Sequence, residues 1–128
     1  MLKDMEVMAV LPAKDIDRAR EFYRDKVGLE PDRTMADGGL VYRCGKGTSF
    51  LVYQTDNAGS AKNTQIGWGT DDVQRDVEEL RGRGVVFEEY DMPGLKTENG
   101  IATMEGYGQS AWFLDSEGNI LNISSMQS

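Results

Sequence analysis

Histidine is absent from this 128-residue chain, and cysteine occurs once, at Cys44. Without imidazole, the chain lacks the one side chain whose ordinary pKa suits acid–base work at neutral pH. Cys44 has no histidine to activate it as a nucleophile, so a structural thiol is its expected role. A lone cysteine forms no internal disulfide, and a reduced, cytoplasmic setting is expected. Apolar runs extend only a few residues, which excludes a membrane-spanning helix. Asp4 and Glu6 interrupt what would be the apolar centre of a secretory leader. Basic residues are also scarce: 14 Lys and Arg against 22 Asp and Glu leave a net charge of −8. Nucleic acids and anionic membranes both need a basic face, so neither is an expected partner. Low-complexity segments and long linkers are missing too, and the length suits one compact domain over residues 1–128.

What the chain does contain, it contains twice. Asp15–Gly28 reads DIDRAREFYRDKVG and Asp72–Gly84 reads DVQRDVEELRGRG. Each follows a short extended run and precedes alternating, strand-like segments. A repeat of this kind predicts an α+β fold of two βαβββ modules, over about 4–56 and 63–126, enclosing a ligand cleft.

Within the first module, Met5–Leu11 reads as a strand that Pro12 ends, because proline cannot donate to a ladder. Asp15 is an N-cap, Ile16, Ala19, Phe22 and Tyr23 form an apolar helical stripe, and Gly28 is a C-terminal stop. Strands are expected near Glu30–Met35, Gly39–Cys44 and Ser49–Gln54, with Gly45-Lys46-Gly47 turning the last hairpin. The second module repeats this: strand Thr64–Thr70, a helix capped by Asp72 with stripe Val73, Val77 and Leu80, then strands Val85–Tyr90, Ser110–Leu114 and Ile120–Ser124. Asp91–Ile101 is the longest irregular stretch, and a loop of that length predicts a lid over the cleft.

The patterns DIDRAREFYRDKVGLEP and AWFLDSEGNILNI resemble the glyoxalase/bleomycin-resistance/dioxygenase, or vicinal oxygen chelate, superfamily. VVFEEYDMPGLKTENGIAT resembles a bacterial glyoxalase-like branch of it. The resemblance covers Met5 to Ser125 and implies two modules curling into an incomplete barrel around a pocket. It also implies four metal-ligand positions, which fall here on Met8, Leu51, Gln65 and Asn122. Leucine cannot coordinate, methionine suits soft ions, and two neutral amides hold a divalent ion poorly against water. No cofactor is therefore expected, and the pocket is read as metal-free.

Strand side chains alternate faces. Residues sharing parity with those four positions should line the pocket: Glu6, Val10, Ser49, Tyr53, Ile120 and Ser124, with Tyr42, Trp112, Cys44 and Leu114 added from the hairpin partners. The opposite faces (Val7, Ala9, Leu11, Phe50, Val52, Ile66, Trp68, Phe113, Leu121, Ile123) should be core. The expected ligand-binding set is Met8, Tyr42, Ser49, Leu51, Tyr53, Gln65, Trp112 and Asn122, with Glu6 the one candidate acid or base and no metal ligands. An aromatic wall carrying a few polar groups suits a small, partly planar organic molecule. The alternative is a glyoxalase-like lyase or isomerase, or a dioxygenase-type enzyme, with ligands displaced to Glu6 or Glu105. A cleft filled by its own side chains, in an accessory protein, is a third reading. The resemblance further implies a homodimer.

Overall fold

The structure is a computed structural model that describes residues 1–106 and 108–125. Met126, the expected end of the second module, lies outside those residues. Strand β1 (Ala9–Ala13) leads into helix α1 (Ile16–Phe22), which widens into a π-helical turn over Tyr23–Val27. Strands β2 (Arg33–Thr34), β3 (Leu40–Arg43) and β4 (Ser49–Gln54) complete the first module in the sheet order β1-β4-β3-β2. The second module holds β5 (Thr64–Thr70), α2 (Val73–Gly82), β6 (Asp91–Met92), β7 (Leu95–Glu98), β8 (Ile101–Met104), β9 (Gly108–Leu114) and β10 (Ile120–Ser125). Its sheet runs β5-β10-β9-β8-β7-β6. In each module the opening strand pairs in parallel with the closing one, β1 with β4 and β5 with β10.

Local chemistry explains the helices. The Asp15 carboxylate accepts from the Asp17 and Arg18 amides, and Asp72 accepts from that of Arg75, satisfying first-turn donors. Gly28, at φ 81°, ends the first helix in the left-handed conformation. The stripes predicted from the sequence meet in one cluster, where Ala19, Tyr23, Val73 and Val77 are buried with Leu11, Phe50, Val52, Phe113, Leu121 and Ile123. Both helices and one face of each sheet therefore share a single core.

The hairpin turn of module 2 joins the modules. Asp115 Oδ1 accepts from the Glu117 and Asn119 amides, which folds the turn. Its Oδ2 accepts from the Tyr23 hydroxyl at 2.7 Å, across the module boundary. Asn119 Nδ2 donates to the Pro12 carbonyl, and Glu117 receives the Asp15 amide and the Arg18 guanidinium. The D-x-x-GN pattern is thus an inter-module clamp. Burial, followed by the Asp115 charge and hydrogen bond, holds the Tyr23 phenol well above its ordinary pKa.

Several expected elements differ. β1 begins at Ala9 rather than Met5 and runs through Pro12 to Ala13, because an edge strand has one ladder neighbour and tolerates a missing N–H. Val7, expected in the core, is 93% exposed ahead of β1. Val85–Tyr90 is no continuous strand; Phe87 alone bridges to Phe113. Asp91–Ile101, expected as an irregular lid, is a short hairpin, β6 to β7, that extends the sheet through β8. The Gly94 turn at φ 81° allows that reversal. Among the described residues, no helix is long and apolar enough to cross a membrane.

Candidate ligand-binding faces

Each sheet has one face in the shared core, so the other face points away from it. On the first sheet, β1–β4 register sets Val10 beside Leu51 and Pro12 beside Tyr53. β3 adds Val41 opposite Leu51 and Arg43 opposite Ser49. Ser49 and Leu51 are half-buried, whereas Met8, Val10 and Tyr53 are exposed. Met8 sits just ahead of β1, and Glu6 lies further out in the same exposed segment.

Tyr42 is not on this face. It opposes Phe50 across the ladder, stacks on that ring at 4.9 Å, and is fully buried. The pocket placement expected for Tyr42 and Cys44 matches them to Trp112 and Leu114 across the two hairpins. The two turns instead close alike, Cys44 N to Thr48 O and Asp115 N to Asn119 O, which makes Tyr42 the counterpart of Phe113. A slip of one residue exchanges the two faces. The Tyr42 hydroxyl is also buried without a hydrogen-bond partner among the described residues. Burial pushes its pKa up to about 12.

On the second sheet, Asn122 stands opposite Trp112, and Ser124 opposite Ser110. The Trp112 indole donates to Thr64 Oγ1 at 3.0 Å and meets the Tyr90 ring edge-on at 5.6 Å. Burial and then the Glu88 charge raise the Tyr90 pKa. Asn122 Nδ2 donates to the Ala111 carbonyl, its Oδ1 accepts from Ser124, and the Ser124 and Ser110 hydroxyls lie 2.8 Å apart. Gly67 lets the Asn122 side chain lean over β5: a Cβ there would stand 3.0 Å from Asn122 Oδ1. Further along, Met92 pairs with Leu95, so the face continues into the groove that also contains Met104.

Gln65 is not brought to Asn122. The β5–β10 register slips between Ile120 and Leu121, leaving Gln65 as the extra residue of a bulge. Its Oε1 accepts from the Ile120 amide and its Nε2 donates to Asn119 Oδ1. Thr64 supplies the group facing Trp112 instead. Sequence reasoning missed Thr64 and Tyr90. Alternation cannot reveal a bulge, and no local spacing sets Tyr90 against Trp112, which it meets from a distant part of the chain.

The positions implied for a metal do not suit a divalent ion. Leu51 offers no donor, Met8 offers a thioether, and Gln65 and Asn122 offer only neutral amides, which the register slip keeps out of one row. Among the described residues, no group of three or more His, Cys, Asp or Glu side chains could hold a metal ion.

No protein-family model matches the sequence, and no curated protein matches it. Solved structures do match in shape. TnmS3, an antibiotic binding protein from Streptomyces sp. CB03234, is 24% identical with a TM-score of 0.67, covering 97% of this chain and 98% of its own. A glyoxalase/bleomycin resistance protein from Catenulispora acidiphila is 19% identical with a TM-score of 0.67, covering 97% and 100%. A mutant of the genomically encoded fosfomycin resistance protein FosX from Listeria monocytogenes, complexed with manganese(II) and a dihydroxypropylphosphonic acid, is 14% identical with a TM-score of 0.68, covering 94% and 89%. The chain has the α+β fold of the glyoxalase/bleomycin-resistance, or vicinal oxygen chelate, superfamily.

Proposed function

We propose that this protein binds a small, flat organic molecule on the exposed face of its second sheet, without a divalent metal, and works as a homodimer. The observation that carries this reading is the Trp112 indole, pinned by Thr64 and braced by Tyr90, beside the Asn122–Ser124–Ser110 row. An ordered aromatic wall can stack a ring, and the Asn122 amide, which spends one N–H on Ala111 and one oxygen lone pair on Ser124, keeps a second of each for the ring's oxygen or nitrogen substituents. The groove past Leu95 leaves room for a molecule longer than one ring. TnmS3, of the same fold, is an antibiotic binding protein, and FosX is a resistance protein. Sequestering an aromatic toxin needs binding and no chemistry.

What supports the homodimer is where the faces point. The first sheet exposes Val10 and Tyr53 away from the shared core, with Met8 exposed just ahead of β1, an apolar patch costly to leave in water. Setting this face of one protomer over the Trp112 face of another closes a cleft from Leu51, Ser49 and Tyr53 on one side and Trp112 and Asn122 on the other.

The test is a thermal-shift screen of the full chain against aromatic natural products, followed by mass spectrometry of the recovered compound. Stabilisation that saturates with concentration, with the compound returned unchanged, supports binding without catalysis. A converted compound, or stabilisation that vanishes with chelator, contradicts it.

A further inference from the structure

A second concavity lies on the far side of the second sheet, between the two helices. Val27 and Leu29, at the end of the first helix, and Leu80, on α2, surround a pocket of about 260 Å³ floored by Trp68, Phe113 and Ile123. Val27, Leu29, Leu80 and Trp68 pack against the core yet remain only partly buried, which leaves their apolar surface turned into this pocket. The first helix widens to its π-helical turn over Tyr23–Val27 at the same place, a distortion that recurs at functional sites. Sheet alternation puts Trp68 and Ile123 on the face opposite Asn122, so this pocket and the Trp112 face are separated by the sheet itself.

The rim decides the ligand's charge. Asp76 accepts from the Thr70 hydroxyl and pairs with Arg75 at 3.1 Å. Glu79 lies 3.7 Å from Arg83. Each rim carboxylate is thus paired with an arginine, Arg75 (which Asp71 shares) or Arg83, and the floor carries no charge to meet an ionic guest, only the Trp68 indole N–H. We propose that this inter-helical pocket is a second binding site, for a neutral aromatic molecule of one or two rings. A longer ligand does not fit the volume, and an ion gains nothing from a floor of Trp68, Phe113 and Ile123. The assignment is independent of what the Trp112 face binds.

Trp68 and Trp112 are the only tryptophans of the chain, so in Trp112→Phe, excited at the red edge where tyrosine does not absorb, the indole in this pocket is the sole emitter. Titrating that protein with 4-nitrotoluene, a neutral contact quencher, should quench Trp68 along a saturating curve with a midpoint on the order of a millimolar or below. Leu80→Phe fills the pocket and should raise the midpoint about tenfold or more, equivalent to about 1.4 kcal/mol. Leu29→Phe provides the same test should Leu80→Phe fail to melt cooperatively. Linear, non-saturating quenching would overturn the site, as would a midpoint that the filling substitution leaves unchanged. Saturable quenching lost as protein concentration rises would assign the pocket to a second copy of the chain and equally overturn it.

Discussion

Arg18 and Glu117 come from different modules and meet as a fork, with Arg18 Nε 2.7 Å from Glu117 Oε2 and Nη2 3.0 Å from Oε1. The carboxylate side chain is fully shielded from solvent, whereas the arginine is about half exposed. Burial alone would push the Glu117 pKa up. The Arg18 hydrogen bond, the Asp15 amide, the Ser116 hydroxyl and the Arg18 charge together outweigh it and hold the carboxyl at about 2, against an ordinary 4.5.

That depression makes stability depend on pH in a defined window. The clamp's electrostatic contribution is complete above the unfolded value near 4.5 and is lost as pH falls towards 2. Glu117→Gln should cost about 2 kcal/mol at neutral pH, a figure reduced for the exposed arginine. It should also flatten the stability curve between those pH values. Urea unfolding across pH 2–7 reads both, and an unaltered acid limb would show that the clamp carries no pH-dependent stability.

Tyr42 makes the opposite prediction. Its hydroxyl is buried without a partner among the described residues, while its ring stacks on Phe50. Tyr42→Phe keeps the stack and removes a desolvated group costing about 1–3 kcal/mol. The melting temperature should rise or stay level. A clear fall would mean that an ordered water satisfies the hydroxyl.

Two substitutions separate binding from folding on the Trp112 face. Trp112→Ala should weaken the compound recovered in the screen by about tenfold to a hundredfold while the chain still folds. Gly67→Ala places a methyl 3.0 Å from Asn122 Oδ1 and should displace that amide. Its effect on stability should stay within about 1 kcal/mol while affinity falls. Calorimetric titration paired with thermal melts distinguishes these outcomes; equal affinity in both variants would move the ligand off this face.

Elemental analysis of protein purified without chelator should find well under one divalent ion per chain, and chelator should leave the melting temperature unchanged. This follows from the donors, since Leu51 has none and Gln65 and Asn122 offer only neutral amides, which the register slip keeps out of one row. A stoichiometric metal would mean that other groups ligate it.

Association should depend on the first sheet. Val10 is 52% exposed beside Leu51. Val10→Glu should shift sedimentation toward the monomer by placing a charge on an apolar surface. A dimer equally tight in both proteins would place the contact elsewhere.

Much of the scaffold could be read from residues alone. The duplicated Asp-capped helices, their apolar stripes and the hairpin turns depend on interactions a few residues apart, and those are written in local spacing. Leu11, Phe50, Val52, Phe113, Leu121 and Ile123 fell in the core because period-two alternation survives wherever a strand runs unbroken. The reading failed where alternation was interrupted or misaligned. Tyr42 changed faces through a hairpin matched one residue out, Gln65 left its row through a bulge, and Val7 preceded a strand that starts later.

By itself, then, the sequence determined a duplicated α+β fold and an acidic balance of charge, since each is a property of residue identity or short-range order. Only the tertiary structure decided that Glu117 and Asp115 clamp the modules together, that Thr64 and Tyr90 hold Trp112, and that a pocket opens over Trp68. Those contacts join residues far apart in the chain. Their existence depends on strand register, where a shift of one residue exchanges core for surface and carries no local signature.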